Sequence, residues 1–275
     1  MSSLSGKSAI VSGSGRGIGA AIARKLAAAG AQVVVNDLDP ATADAVVAEI
    51  TAAGGTAVPC AGDVTADGFA DRFVGAAVDN FGGLDIIVNN AGYTWDGVVQ
   101  KMSDEQWDAI LGVHLTAPFR IMRAAQPVIS AAAKREHEAG QAITRKVVNI
   151  SSLAGLYGNA GQINYSAGMA GIIGLTKAMA KEWGRYRVTV NAVAFGLIKT
   201  RLTEAEAGSD ATIDINGRTM KVGVNPMVLQ AAQHLAPLGR LGTPEEAAGA
   251  VYLLCLPESD YVTGEVLACS GGLVG

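Results

Sequence analysis

Short, continuous apolar runs alternate along the chain with longer segments whose apolar residues recur at helical spacing. Residues 8–12 form the first run and end in a glycine-rich turn, and residues 18–29 continue as an alanine-rich helix. A strand at 33–37 and a helix at 40–53 follow, then a strand at 57–60, a helix at 66–81 and a strand at 85–89. Later strands fall at 146–150, 189–193 and 265–268, and a long helix covers 162–183. Runs that are apolar at every position, rather than at alternate ones, mark strands buried on both faces. The pattern predicts an α/β chain: one doubly wound domain over residues 1–275, with about seven parallel strands.

Two stretches break the rhythm. Residues 132–145 are charged and polar, and read as an extended helix end or a surface loop. Residues 200–237 form the second, and within them 212–222 alternate on both sides of Asn216-Gly217. Such a pair favours positive φ at both central turn positions, which predicts a two-residue hairpin.

Composition narrows the functional classes. Hydrophobic residues make up 49% of the 275 and charged residues 17%, enough for a large core and too apolar for disorder. A formal charge of −4 argues against nucleic acid as a partner. No run reaches the roughly 18 apolar residues of a membrane span, and residues 1–7 lack a signal-peptide pattern. Cys60, Cys255 and Cys269 are scattered, without metal-ligand spacing. A cytoplasmic protein with reduced thiols and no metal is expected.

The glycine turn carries the first candidate chemistry. Gly13, Gly17 and Gly19 lie between a strand and a helix, with Ser12, Arg16 and Ile18 among them. Glycine lets backbone N–H groups approach a pyrophosphate at the positive end of a helix. The same turn also serves plain strand–helix packing, so Asp37 matters more. It closes the second strand, where a carboxylate can accept hydrogen bonds from ribose hydroxyls and would repel a 2′-phosphate. That favours NAD over NADP, with Arg16 as the counterweight because a guanidinium could pair with the phosphate.

Four motifs together resemble the short-chain dehydrogenase/reductase family: Ser12–Gly19, Asn89-Asn90-Ala91-Gly92, Asn149–Gly155 with Ser152, and Tyr165-Ser166-Ala167-Gly168-Met169. The resemblance runs over almost the whole chain and implies a Rossmann fold. It also implies hydride transfer between NAD and a carbinol or carbonyl carbon. In that family the strand-end acid usually sets the cofactor preference. Tyr165 would move the proton and Ser152 would hydrogen-bond the substrate oxygen. Asp63 and Val64 would contact adenine, and Asn90 and Gly92 would line the ribose side. Ile198 and Thr200 would hold the carboxamide, although Phe195-Gly196 replaces the family's Pro-Gly. Asn89 reads as a tie between strands.

Two positions depart from the family pattern. Met169 stands where the family carries lysine, and His114 where it carries asparagine. A tyrosine of ordinary pKa near 10 is only about 0.1% ionised at neutral pH. The family lysine lies one helical turn from the tyrosine, and its charge would lower that pKa by roughly 1–3 units. In one reading His114 takes over, as polar relay or as neighbouring cation titrating near neutrality. In the other the chain has become a cofactor-binding scaffold or a partner subunit of an active relative. Each residue also has a plain role, methionine as packing filler and histidine as a satisfied core group.

The segment 200–237 occupies the place of the family's substrate lid and is longer than usual there. Its apolar residues, with Trp95 and Tyr157, suit a bulky apolar alcohol or ketone, steroid-like, alicyclic or a 3-oxoacyl thioester. They equally suit packing of the hairpin onto the body. Arg201, Arg218 and Lys221 could meet the phosphates of a thioester carrier or simply solvate the surface. Gly168, Gly171 and Gly174 give the 162–183 helix a face for close packing, and the resemblance implies a homotetramer built partly through it.

Overall fold

The computed structural model describes residues 3–200, 212–215, 218–221 and 234–273. In chain order the strands are β1 (Ser8–Val11), β2 (Gln32–Val35), β3 (Thr56–Pro59), β4 (Ile86–Asn89), β5 (Arg145–Ser152) and β6 (Val188–Phe195). β7 (Thr212–Ile215), β8 (Arg218–Lys221) and β9 (Val266–Cys269) follow. Seven of them form one parallel sheet in the order β3-β2-β1-β4-β5-β6-β9. β7 and β8 pair antiparallel, with Ile215 opposite Arg218. The helices are α1 (Gly17–Ala28), α2 (Pro40–Ala52), α3 (Phe69–Phe81), α4 (Asp104–Leu111), α5 (Ala117–Glu138), α6 (Leu153–Tyr157), α7 (Ile163–Trp183) and α8 (Pro244–Cys255).

The sheet is buried from both sides because its strand residues alternate between two cores. Ala9, Val11, Val33, Val35, Ile86 and Val88 face one layer, packed against Ile22 and Leu26 of α1, Val46 of α2 and Val251 of α8. Ile10, Val34, Ile87 and Val147 face the other, against Phe69 and Phe73 of α3, Ile121 and Met122 of α5 and Trp183 of α7. Every residue of β1, β4 and β6 is buried. That is the physical content of the continuous apolar runs: no position on such a strand faces water.

β1 lies between β2 and β4, so the chain switches direction across the sheet there. A crevice opens beyond the carboxyl ends of the strands at such a switch, and loops from both halves converge on it. Asn89 and Asn149 brace it from below, the amide of the first donating to Oδ1 of the second at 2.7 Å.

Some elements differ from the sequence expectation. α3 begins at Phe69 rather than near residue 66, because Gly68 sits at φ 74° and stops helical geometry there. The first half of the charged stretch 132–145 is the end of α5, which runs to Glu138. Its charges are not all solvated: Arg145 is buried and its guanidinium pairs with Glu136. α4 is announced by a capping box, Ser103 with Gln106, that satisfies helix-end donors reciprocally. It runs directly into Gly112–Thr116, a single wide turn closed by a bond from Ala117 N–H to Gly112 O. Such π-type turns are rare and concentrate at functional sites. His114 stands in it.

Candidate active site

The glycine turn is held by its neighbours before any ligand is considered. Gly13 (φ 60°) packs so closely on Ala91 that an added methyl would lie 2.7 Å from Ala91 Cα. Asn90 donates to the carbonyls of Ser12 and Gly13 at 3.0 and 2.9 Å. The Ser12 hydroxyl accepts the N–H groups of Asn90 and Ala91, each at 3.0 Å. Ser12, Gly13 and Asn90 thus lock the β1 and β4 loops together. Gly19 is tighter still, with no room for a methyl against Gly13 O. Gly17 differs: at φ 51° its nearest neighbour is Thr200, whose methyl would be 3.8 Å from an added Cβ. Ile18 follows it, packed against the core.

Gly17 therefore borders open space at the start of α1, and no side chain caps that helix. Uncapped N–H groups beside a glycine are what a pyrophosphate requires. The residues fit a dinucleotide, and Gly13, Gly17 and Gly19 would hold its phosphates.

Asn36 was not singled out by sequence, yet it organises this end. Its Oδ1 accepts Gly13 N–H at 3.0 Å, and its amide donates to the carbonyls of Cys60 and Gly62, each at 3.0 Å. One buried amide thereby ties the loops after β1, β2 and β3. Its signal in the sequence is a polar residue ending an apolar run, overshadowed by the adjacent acid. That acid, Asp37, lies against Gly15, whose added methyl would be 2.6 Å from Asp37 Oδ2. Arg16 is turned outward, donating to Asp39 at 2.9 Å and Thr42 at 2.6 Å. Asp63 accepts from the N–H and hydroxyl of Thr65, and Val64 is buried beside it. Both lie in the loop after β3. Ile198 is buried and bridges to Gly242, placing Thr200 opposite the glycine turn.

The second cluster stands between β5, the wide turn and α7. Tyr165 is in the first two turns of α7, and Ser152 ends β5 and caps α6, accepting Ala154 N–H at 3.2 Å. The Ser152 hydroxyl lies close enough to the Tyr165 phenol to favour its ionised form. The ring of His114 meets that of Tyr165 edge to face, centroids 5.1 Å apart at 82°. Beneath it, Gly92 leaves space that only hydrogen could leave, since an added methyl would be about on top of His114 Cε1. The structure thus brings Ser152, Tyr165, His114 and Gly92 into one group.

Electrostatics here run opposite to those of a lysine-assisted tyrosine. Burial pushes the Tyr165 phenol above its ordinary value, the Ser152 hydroxyl pulls it down, and the carboxylate of Asp96 raises it further. Asp96, on the loop after β4, is itself raised by desolvation while Gln162 donates to it at 2.9 Å. His114 is lowered to about 4 by burial, which outweighs its bond to Tyr93. It is therefore neutral at pH 7, and the expectation of a cation titrating near neutrality is corrected: no solvent reaches the ring to support the charge. With Nε2 2.7 Å from Tyr93 O, the proton sits on Nε2 and Nδ1 is left as the ring's acceptor.

Met169 lies one turn beyond Tyr165, buried, its carbonyl accepting the Ser151 hydroxyl at 3.0 Å. Gly155 packs against its backbone, with 2.6 Å to Met169 C from an added methyl. Lys177 and Lys181 are exposed and do not enter the cluster. Gly168 and Gly171 pack within the chain, against His114 and Leu115, so their smallness already has an intramolecular reason. Trp95 is half-buried and Tyr157 exposed at the same end. Most of the lid segment, including Arg201, lies outside the described residues.

Comparison with known proteins places this geometry. The family model described as enoyl-(acyl carrier protein) reductase matches residues 13–274. The chain belongs to the short-chain dehydrogenase/reductase family. A 3-oxoacyl-(acyl-carrier-protein) reductase of Synechocystis sp. is 38% identical over 276 residues, covering 100% of this chain and 99% of the relative. The enzyme of the same description from Thermotoga maritima is 35% identical, covering 98% and 99%. Among solved structures, a double mutant of a Serratia marcescens short-chain dehydrogenase/reductase superposes with a TM-score of 0.82 at 29% identity, covering 99% of this chain and 100% of that one. The chain is accordingly an oxidoreductase of a family that uses nicotinamide cofactors. No helix among the described residues is long and apolar enough to cross a membrane, and no group of three or more His, Cys, Asp or Glu among them could hold a metal.

Proposed function

We propose that the protein is an NADH-dependent carbonyl reductase that acts on a 3-oxoacyl thioester or a similarly shaped ketone. The observation that carries this reading is the grouping of Tyr165 with Ser152 and His114, in which burial and the Asp96 carboxylate favour the protonated phenol. Reduction needs an acid. As hydride reaches the carbonyl carbon, the oxygen becomes an alkoxide-like base far stronger than a phenolate, and it takes the Tyr165 proton. A phenol of raised pKa does this at neutral pH, whereas oxidation would need the phenolate that the site disfavours. The names of the relatives support the thioester within the substrate classes the sequence left open.

Each residue then has a role. Ser152 donates a hydrogen bond to the substrate oxygen, and Tyr165 protonates it. His114 acts as a neutral relay member behind the phenol, offering Nδ1 as acceptor. Bound NADH supplies the hydride. Gly13, Gly17 and Gly19 receive the phosphates, and Ser12 and Asn90 keep that turn rigid. Asp37 accepts the adenosine ribose hydroxyls, Asp63 and Val64 flank adenine, and Gly92, Ile198 and Thr200 lie toward the nicotinamide. Arg16 is spent on Asp39 and Thr42, which supports NAD over NADP, although an exposed pair of this kind is worth only about 0–1 kcal/mol. Residues 200–237 serve as the substrate lid of a single domain, in a homotetramer.

Buried Met169 favours a second reading, a scaffold that holds cofactor without turnover. The two separate in one experiment. NADH and NADPH are compared by calorimetry, and NADH oxidation is followed with acetoacetyl coenzyme A, a steroid ketone and an alicyclic ketone. Turnover that Tyr165→Phe abolishes supports the reductase. Tight NADH binding with no turnover on any probe supports the scaffold, and tighter NADPH binding would overturn the cofactor assignment.

A further inference from the structure

Asn164, the residue immediately before Tyr165, is fully buried and uses its whole amide in bonds to two other segments and to the backbone of its own helix. Its Nδ2 donates to Trp95 O and to Gln106 O, both at 3.1 Å, and its Oδ1 accepts the N–H of Tyr165 at 2.8 Å. Trp95 is on the loop after β4 and Gln106 on α4, so both acceptors belong to the wall facing α7. The third bond uses a donor that the helix leaves without an acceptor, because the N–H groups of a first turn have none within the helix.

Ordinarily the residue before the helix supplies that acceptor. Here the residue is Gln162, and it does not cap. Its side chain reaches away instead, donating to Asp96 at 2.9 Å and accepting from Asn159 at 2.8 Å. The chain adds a backbone tie at the same place, Gly97 N–H to Gly161 O at 2.8 Å. The start of α7 is therefore sewn to the opposite wall, and Asn164 is the stitch next to the phenol.

We propose that Asn164 is a positioning residue, which fixes the place and depth of Tyr165 by binding the first turn of α7 to the loop after β4 and to α4. The role rests on Tyr165 being the proton donor. It follows from geometry: three bonds converge on one planar amide, and a planar amide admits little rotation when all three are kept. Losing the two donations would remove both ties from the first turn of α7 to the opposite wall, and the wall would part from the helix. Tyr165 would then tilt away from Ser152 and His114.

The test compares wild type, Asn164→Asp, Asn164→Ser and Thr176→Val. Asn164→Asp keeps the shape and the acceptor for Tyr165 N–H and removes the two donations. Thr176 is also fully buried on α7, accepting from Asn149 at 2.9 Å and donating to Ile172 O at 2.8 Å, but stands well along the helix from the phenol. It controls for simple loss of a buried polar bond. Two quantities are read, without and with substrate. The first is the ultraviolet phenolate titration of Tyr165, isolated by subtracting Tyr165→Phe. The second is NADH-dependent turnover of acetoacetyl coenzyme A with its solvent deuterium isotope effect.

In the uncharged Asn164→Ser, where no new carboxylate opposes the shift, the phenol should fall back toward the ordinary tyrosine range, and in Asn164→Asp it should leave its wild-type position. Turnover should drop by about a hundredfold, as for a reacting group misplaced by about 1 Å, with a larger solvent isotope effect and an unchanged NADH Kd. Thr176→Val should lower Tm and leave the titration and the isotope effect as in wild type. A folded Asn164→Ser with a wild-type phenol titration overturns the proposal, as does Thr176→Val moving the titration equally. If wild type does not turn over acetoacetyl coenzyme A, the substrate reading fails, and the titration still decides the positioning role. Should Asn164→Asp not fold, the smaller uncharged Asn164→Ser is judged by the same results.

Discussion

The imidazole of His114 touches Tyr165 edge-on and bonds a backbone carbonyl, so its charge state sets what the phenol feels. In the unfolded chain this histidine takes a proton below its ordinary value of 6.5, and in the folded protein only at about 4. Between those values the unfolded state binds more protons. Stability is therefore unaffected above the window and falls as pH is lowered through it, to a ceiling of about 3 kcal/mol. At pH 5 the loss is about 2 kcal/mol, worth roughly 5 °C in a domain of this size. His114→Asn should be spared that loss when Tm is measured at pH 7 and pH 5. An equal drop in both proteins would mean that the ring is not held neutral by burial. Met169→Lys with His114→Asn tests the neighbouring position. A cation beside the phenol would lower its pKa by roughly 1–3 units and increase the phenolate by about ten- to a thousandfold. Alcohol oxidation at neutral pH should gain far more than reduction. The sequence places Met169 and His114 at these two positions. It could not show that the histidine is neutral, since that follows from burial winning over the carbonyl of Tyr93, twenty-one positions away.

At the scale of elements, the contact of α6 with α7 decides whether Ser152 and Tyr165 stay together. Ser152 caps α6 and Tyr165 rides on α7, and Gly155 lets the two helices approach until its Cα lies against the Met169 backbone. Gly155→Ala should force the helices apart, costing about 1–3 kcal/mol of stability. It should also lower turnover more than NADH affinity, because the glycine turn is untouched. Unfolding and initial-rate measurements on the one variant check both; full turnover in a destabilised protein would separate the contact from the chemistry. Strand positions were legible here because burial on two faces leaves an unbroken apolar signature. The wide turn at Gly112–Thr116 was not, since its register depends on how α4 runs into α5 rather than on any residue type. Asn164 escaped for a similar reason. Two of its three partners, Trp95 and Gln106, come near it only in the folded chain.

Over the whole molecule, the parallel sheet and its two-sided core were readable from the alternation of runs and helices, and the crevice at the β1–β4 switch follows from the strand order the fold adopts. At the expected cofactor end the sequence pointed to the glycines and Asp37, but not to Asn36, which binds three loops into one platform. Asp37→Ser should remove the repulsion toward a 2′-phosphate and narrow the preference for NADH, measured as the ratio of the two dissociation constants. An unchanged ratio would move the discrimination elsewhere.

The most direct measurement is the pH dependence of kcat/KM for NADH-dependent reduction of acetoacetyl coenzyme A, which reports the ionisations of the free enzyme. A protonated Tyr165 next to a neutral His114 predicts a rate level from about pH 6 to 9, falling only on the alkaline side beyond the ordinary tyrosine value near 10, and absent in Tyr165→Phe. A limb near neutrality, or a rate that survives Tyr165→Phe, would contradict it.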